Sequence, residues 1–311
     1  MSDLITVVGA GSRTAAALIP MILEETDYRV RLLSTREVFT HDPRVTAIRL
    51  DPTDRQAVKR AILDDIPAVI INTAATTNVD RCETDRSTCW SVNVDLVEHL
   101  ARMCRVVDAH LVHMSTDYVF DGTKGPYSEL DAPKPISYYG KSKLAAENAA
   151  LGAGIQATVV RTNVLYGPSQ EHPDFVAWIL ESIDARVPVK VVTDQYSNPT
   201  YIDDVAEAIL RLVRRRRTGI YHVGGADYLS RYEFALRIAE VFKVPTTSLE
   251  PVLTDDLAQP ARRPLRGGLI TLKAEADLGM KFRGVQAGLA SLRHSLYAKL
   301  QHPTQRRSLL P

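Results

Sequence analysis

Short apolar runs alternate with helix-patterned stretches through the first half of the chain, and this alternation restricts the fold more than any other feature. The runs "LITVV", "YRVRLL", "PAVIIN" and "HLVHMS" are separated by amphipathic stretches that begin near Arg13, after Asp54 and from about Arg86. Strands that alternate with helices pair in parallel, because a parallel connection must cross the sheet through a helix. Continuous apolar strands such as "AVII" fit burial on both faces. "ATVVR" and "GIYHV" add strands later, whereas "GPSQEHPDF" and "LTDDLAQPARRPLRGG" leave the pattern. The reading is a doubly wound α/β fold with a parallel sheet. A smaller second domain, built from those interruptions, closes over the carboxyl ends of the strands, where such sheets bind ligands.

Composition narrows the function classes. A chain of 311 residues, 45% hydrophobic, can bury a sizeable core. Its 38 basic and 37 acidic residues nearly balance. That argues against a nucleic-acid or membrane partner, since attraction to either needs a concentrated excess of Lys and Arg. No apolar stretch approaches membrane-spanning length, and Met1 to Asp3 lead straight into a strand. The expectation is a cytoplasmic protein without a signal peptide. Cys82, Cys89 and Cys104 lack metal-ligand spacing and read as helix thiols. The run Arg214 to Arg217 reads as a solvated helix end, where cations suit the helix dipole. His110 and His113 share a strand but point to opposite faces. His172 sits with Asp174 in a loop, and no metal site is expected.

The first strand runs into "GAGSRTA". A glycine-rich turn between a strand and a helix lets backbone N–H groups and the helix N-terminus face a pyrophosphate. Gly9 and Gly11 keep the tight turn. Ser12 and Ala15 stand where further glycines are usual; Ser12 offers a hydroxyl donor, and Ala15 is small enough for the helix to lie near the strand. At the tip of the second strand stand Ser34, Thr35 and Arg36. A site for plain ribose places Asp or Glu there, whereas a 2′-phosphate favours Arg. Arg36, with Arg13 beside the turn, points to NADPH, with NADH as the alternative.

"SYYGKSKLAAE" places Tyr139 and Lys143 four residues apart, on one face of a helix. A free tyrosine is a poor acid at neutral pH, and an ammonium alongside stabilises its phenolate. Ser115 and Thr116, in "STDYVF", sit at a strand's carboxyl end facing the same crevice.

Together these stretches resemble the extended short-chain dehydrogenase/reductase superfamily and, within it, the dTDP-4-dehydrorhamnose reductases. The resemblance is carried by "STDYVFDG", "YSELDAPKPISYYGKSK", "TDQYSNPTYIDDVA", "GIYHVGG" and "ARRP", in family order. It implies a Rossmann-type dinucleotide-binding domain over 1–166, with returning segments at about 196–225. It further implies a substrate-binding domain from 167–195 and 226–300, and a loose tail at 301–311. Thr116 would polarise the substrate oxygen, Tyr139 would donate the proton, and Lys143 would bind the nicotinamide ribose and tune Tyr139. Asn93 would brace the active-site strand, Asp51 would meet the adenine, and Asn72, Thr73, Ala74 and Ala75 would line the nicotinamide side. Ser115, Asp117, Tyr118, Asn163 and Arg263 would face the substrate.

The implied activity is NADPH-dependent reduction of a 4-keto-6-deoxy sugar nucleotide by a homodimer. Tyr118 stands where dehydratases carry Glu, which argues against dehydration. Asn163 and Val164 replace the Ser-Trp pair of the reductases, and Leu265 to Gly268 replace an Asn-Ser pair after "ARRP". The first change is nearer to the epimerases. The alternatives are therefore a sugar-nucleotide 4-epimerase and a non-catalytic NADP-binding regulatory subunit, like that of methionine adenosyltransferase.

Overall fold

The computed structural model describes residues 3–168 and 173–301; His172 and the expected tail beyond Gln301 lie outside the described residues. The strands are β1 (Leu4–Val8), β2 (Arg29–Ser34), β3 (Val45–Arg49), β4 (Val69–Asn72), β5 (His110–Thr116), β6 (Ala157–Thr162) and β7 (Leu165–Tyr166). They continue with β8 (Val189–Val192), β9 (Tyr196–Ser197), β10 (Thr200–Tyr201), β11 (Gly219–His222), β12 (Leu229–Ser230) and β13 (Leu249–Val252). The helices are α1 (Arg13–Glu25), α2 (Arg55–Leu63), α3 (Val79–Thr84), α4 (Arg86–Trp90), α5 (Leu96–Val107) and α6 (Tyr138–Leu151). After them come α7 (Phe175–Asp184), α8 (Ile202–Arg214), α9 (Arg231–Phe242), α10 (Leu272–Leu278) and α11 (Val285–Gln301).

The central sheet is parallel, with seven strands in the order β11-β6-β5-β4-β1-β2-β3. The chain runs outward from β1 through β2 and β3, then restarts at β4 on the other side. Between β1 and β4 the direction of travel reverses, which is where open α/β sheets form their crevice. Every residue of β1, β4, β5 and β6 is buried, because helices cover both faces. On one face Ile5, Val7 and Val160 pack with α1 and α8; on the other Val8, Ile70 and Leu111 pack with α2, α5 and α6. A third core joins Ile179, Val189, Phe234, Ile238 and Leu289 in a smaller lobe of α7, β8, α9, β13 and α11.

Three features differ from the sequence reading. β3 carries no apolar run: Thr46, Ala47 and Arg49 are exposed on this edge strand. The helix expected from about Arg86 is α4, a π-helical turn over Ser91–Asp95, and α5. The segment 226–300 was assigned to the smaller lobe, yet Ala274, Leu278, Met280 and Phe282 pack with α8 and β11 against the sheet. The three cysteines are buried helix thiols. α8 ends at Arg214, which pairs with Glu25, while Arg215 donates to the Asp277 carbonyl.

Candidate active site

One cleft of about 820 Å³ opens at the carboxyl ends of β1, β4, β5 and β6. At one end it is lined by Gly9, Gly11, Ser12, Arg13, Arg36, Asp51, Thr73 and Ala74, and at the other by Ser115, Thr116, Asp117, Tyr118, Tyr139, Lys143 and Asn163. Residues expected at cofactor and substrate thus share one continuous space. Asn72, Asn93 and Arg263 do not line it.

The turn after β1 is built for close approach. Gly9 has φ +81°, and a Cβ there would stand 2.5 Å from the Ala74 backbone nitrogen. Only glycine fits. Ser12 caps α1: its Oγ accepts from Ala15 N at 3.1 Å and donates to Thr73 Oγ1 at 2.9 Å. The hydroxyl expected to reach the cofactor is therefore committed to the helix end and the β4 loop. What the turn offers a pyrophosphate is the α1 N-terminus at the cleft wall, where Gly9, Gly11 and Arg13 line the space, and this donor set fits a dinucleotide.

Arg13 leads α1 and is ion-paired with Asp174, the N-cap of α7. Arg36 lies on the cleft wall beyond Ser34, whose Oγ accepts the Arg36 backbone N–H. Asp51 holds its own turn by accepting from Thr53 N at 2.8 Å and Thr53 Oγ1 at 2.7 Å.

At the chemical end, Ser137 caps α6 by accepting from Gly140 N. A Cβ at Gly140 would lie 2.2 Å from the Tyr118 carbonyl, so the helix start sits directly on the turn after β5. This contact brings Tyr139 edge-on to Tyr118, with centroids 5.7 Å apart. Burial pushes the Tyr139 phenol above the ordinary tyrosine range, and the nearby Thr116 hydroxyl offsets this only in part. Tyr139 is protonated at neutral pH, as a proton donor must be. Lys143 was expected to tune Tyr139 through a charge alongside. Instead its Nζ turns toward the Met114 carbonyl at 2.6 Å and His113 Nε2 at 3.2 Å, and burial lowers its pKa to about 8.

The remaining expected residues sort by their partners. The Ser115 hydroxyl donates to Glu147, which is doubly bonded to Arg161 by contacts of 2.9 and 2.7 Å in the interior. Asp117 is buried, which raises its pKa; its Oδ2 accepts from Asn163 Nδ2 at 3.0 Å and Gly268 N at 3.2 Å. It ties the turn after β5 to the loop at Gly268. Arg263 is held on α3 by Asp80, with contacts of 2.8 and 2.7 Å, rather than in the cleft. Its neighbour Pro264 lines the cavity. Asn93, in the π-helical turn, accepts from Thr76 N at 2.8 Å and donates to Ser142 Oγ at 2.9 Å. It braces the loop after β4 against α6, not the active-site strand. Such local widening of a helix recurs at functional sites.

Sequence reasoning missed the far wall: Gln195, Tyr196 and Arg231. Arg231 opens α9 and sets its guanidinium 5.2 Å over the Phe175 ring. The available signal was the capping box Ser230–Glu233, which marks a helix start with a cation on it. Val164, in the cleft lining, has φ 42°, a strained conformation for a β-branched residue.

A family model described as the RmlD substrate binding domain matches residues 5–297. The chain belongs to the RmlD substrate-binding domain family. It is 31% identical to a dTDP-4-dehydrorhamnose reductase of Aggregatibacter actinomycetemcomitans, over 92% of this chain and 97% of that protein. It is 36% identical to methionine adenosyltransferase 2 subunit beta of Xenopus tropicalis, over 73% of this chain and 70% of that one. Its structure is similar, with TM-score 0.84 and 27% identity, to a dTDP-4-dehydrorhamnose reductase from Bacillus anthracis in complex with NADP, covering 95% of this chain and 100% of the other. The reductase from Bacillus anthracis thus shares the fold of this chain. Among the described residues no cluster of His, Cys, Asp or Glu could hold a metal, and no helix is long and apolar enough to cross a membrane.

Proposed function

We propose that the protein is an NADPH-dependent reductase of a 4-keto-6-deoxy sugar nucleotide, of the dTDP-4-dehydrorhamnose type. The observation that carries this reading is the single cleft that joins the Gly9–Arg13 turn to Thr116 and Tyr139. The similar reductase from Bacillus anthracis holds NADP. Gly9, Gly11 and the α1 N-terminus would take the pyrophosphate, and Arg36 the 2′-phosphate. The nicotinamide, when bound, supplies a hydride. Thr116 hydrogen-bonds and orients the keto oxygen, and Tyr139, protonated in its buried site, gives its phenolic proton to that oxygen. Arg231, which lines the far wall of the cleft, would meet a nucleoside diphosphate that extended across it. The division into a dinucleotide-binding domain and a substrate-binding domain belongs to this proposal. So do a cytoplasmic location and a homodimer through α5 and α6, on which Val106 and Leu151 are exposed.

The test is incubation of the purified chain with NADPH and dTDP-4-dehydrorhamnose. Stoichiometric oxidation of NADPH supports the reductase; sugar conversion without it supports a 4-epimerase. The likeness to methionine adenosyltransferase subunit beta favours a second reading, a binding subunit that keeps the site without using it. Dinucleotide binding with no turnover of any 4-keto sugar nucleotide would select that reading.

A further inference from the structure

Two arginines line opposite ends of the cleft, Arg13 beside the glycine turn and Arg231 on the far wall. Each is held from behind the wall by a residue that does not line the cleft. The Arg231 guanidinium packs over the Phe175 ring at 5.2 Å and makes no ion pair among the described residues. A guanidinium laid on an aromatic face is fixed in direction and presents its N–H edge to an anion. Its charge acts on Asp117 and Tyr118, and Tyr118 stands edge-on to Tyr139. Arg231 therefore belongs to the chemical end of the cleft.

Phe175 is the first residue of α7, and the same ring stacks on Phe234 at 5.5 Å, three residues beyond Arg231 on α9. Where that ring stands depends on where α7 begins. The N-cap, Asp174, decides this: its Oδ1 accepts from Ala177 N at 2.9 Å, and its Oδ2 accepts from Gly167 N at 3.0 Å and pairs with Arg13. The side chains of Arg13 and Asp174 are only 13% and 6% exposed. Arg13, Asp174, Phe175 and Arg231 thus form an unbroken series of contacts from the cofactor end of the cleft to the substrate end. We infer that Asp174 and Phe175 are positioning residues that couple the two sites, so that a dinucleotide on the glycine turn sets Arg231 for the diphosphate of the sugar nucleotide.

The direction of the coupling follows from donor count. A guanidinium carries five N–H donors, so Arg13 can serve Asp174 with one arm and a phosphate at the α1 N-terminus with others. A phosphate there adds a second anion to a cation already withdrawn from water, and holds it where Asp174 meets it. The start of α7 is then fixed more firmly, and with it the ring under Arg231. Coupling of this kind is reciprocal: a nucleoside diphosphate on Arg231 must tighten the dinucleotide by the same factor. The inference rests on the proposed reductase reading for the identity of the two ligands; the series of contacts belongs to the chain alone.

The experiment measures binding of dTDP to the full chain by calorimetry, with and without saturating NADP⁺, in the unmodified protein, Asp174→Asn and Phe175→Leu. In the unmodified protein NADP⁺ should tighten dTDP by at least about fivefold, the lower end of ordinary coupling between sites. Asparagine caps a helix as well as aspartate, so Asp174→Asn should keep α7 and bind dTDP alone within about twofold of the unmodified protein. Its ratio of the two dTDP affinities should nevertheless fall to about one. Phe175→Leu should bind NADP⁺ alone as before, weaken dTDP about three- to tenfold, and also lose the ratio. A residue that served folding alone would move single affinities or stability and leave the ratio in place. An unmodified ratio of one, a ratio kept in both variants, or no binding of dTDP overturns the inference; if one variant fails to fold, the other decides. NADPH oxidation with a 4-keto sugar nucleotide is assayed separately. Turnover with an unchanged ratio in the variants would sink the coupling and leave the reductase reading standing, whereas coupled binding without turnover would sink that reading and leave the coupling.

Discussion

Arg13, the first residue of α1, is ion-paired with Asp174, the N-cap of α7, so the glycine turn is fastened to the first helix of the smaller lobe. Both side chains are largely buried, and the same Asp174 oxygen accepts the Gly167 N–H at 3.0 Å. Arg13 therefore has a structural task, fastening the start of α1 to the start of α7. Of the two arginines expected to meet a 2′-phosphate, Arg36 is the one predicted to carry cofactor choice. NADPH should bind more tightly than NADH by about 1 to 3 kcal/mol, the range for a charge-assisted contact. Arg36→Ala should abolish most of that difference. Arg13→Ala should weaken both cofactors alike. Titration of the two dinucleotides against the three proteins checks this, and an unmodified chain that prefers NADH refutes it.

Ser12 gives a second test, because the structure makes it a helix cap. From the sequence alone, Ser12→Gly should leave cofactor affinity equal or improved, since a glycine eases backbone approach. The cap changes the expectation for stability. Ser12→Ala should cost about 1 kcal/mol and Ser12→Gly a few tenths, because glycine is a tolerable N-cap and alanine is not. Dinucleotide affinity should change little in Ser12→Gly. Urea midpoints with and without NADPH measure both quantities. A large affinity loss in Ser12→Gly with unchanged stability would mean that the hydroxyl is a ligand after all.

What the sequence showed and what it hid follow from range. Tyr139 and Lys143 are legible because four residues along a helix fix a shared face wherever the helix packs. β1, β4 and β5 are legible because burial on both faces demands unbroken apolar runs. β3 was missed because an edge strand needs no such run. Arg231 was missed because the cleft assembles it from a helix 92 positions beyond Tyr139, and nothing local states which way that helix faces. The resemblance puts Asn72 on the nicotinamide side and makes Asn93 a brace for the active-site strand; each is turned inward by a hydrogen bond to a partner on another element, which no local pattern states.

Histidine burial predicts an acid-sensitive fold. His110 and His222 are almost inaccessible, and desolvation lowers their pKa values to about 4 and about 3. His113 is lowered in the same direction. In the unfolded chain these groups take protons near the ordinary ~6.5, so the unfolded state binds more protons below that pH. Their stabilisation is complete above ~6.5 and is lost as pH falls toward the folded values. At pH 5 each of His110 and His222 should have withdrawn about 2 kcal/mol. Asp117 and Asp204 act oppositely, since burial raises both carboxyls and the folded state takes their protons first. The comparison that isolates the histidines is urea unfolding at pH 7.5 and 5 for the unmodified chain, His110→Gln and His222→Gln. Each variant should show a shallower fall, and parallel slopes in all three would refute the assignment.

The proton donor is the point at which catalysis and inherited shape part. Tyr139→Phe removes one oxygen and keeps the ring against Tyr118, so folding and dinucleotide binding should survive. General acid catalysis supplies ~10²–10⁴-fold, and single-turnover oxidation of NADPH with a 4-keto sugar nucleotide should slow by that factor. Tyr138 is the internal control. It adjoins Tyr139 in sequence, but its ring packs against Trp90 and under Arg86, away from the cleft lining. Consecutive helix positions diverge by about 100°, so Tyr138→Phe should leave the rate nearly unchanged. Thr116→Val should fall between the two, because it removes the hydroxyl proposed to orient the keto oxygen but leaves the acid in place. Equal single-turnover rates for the unmodified chain and Tyr139→Phe would show that Tyr139 is not the acid, whatever its place beside Thr116.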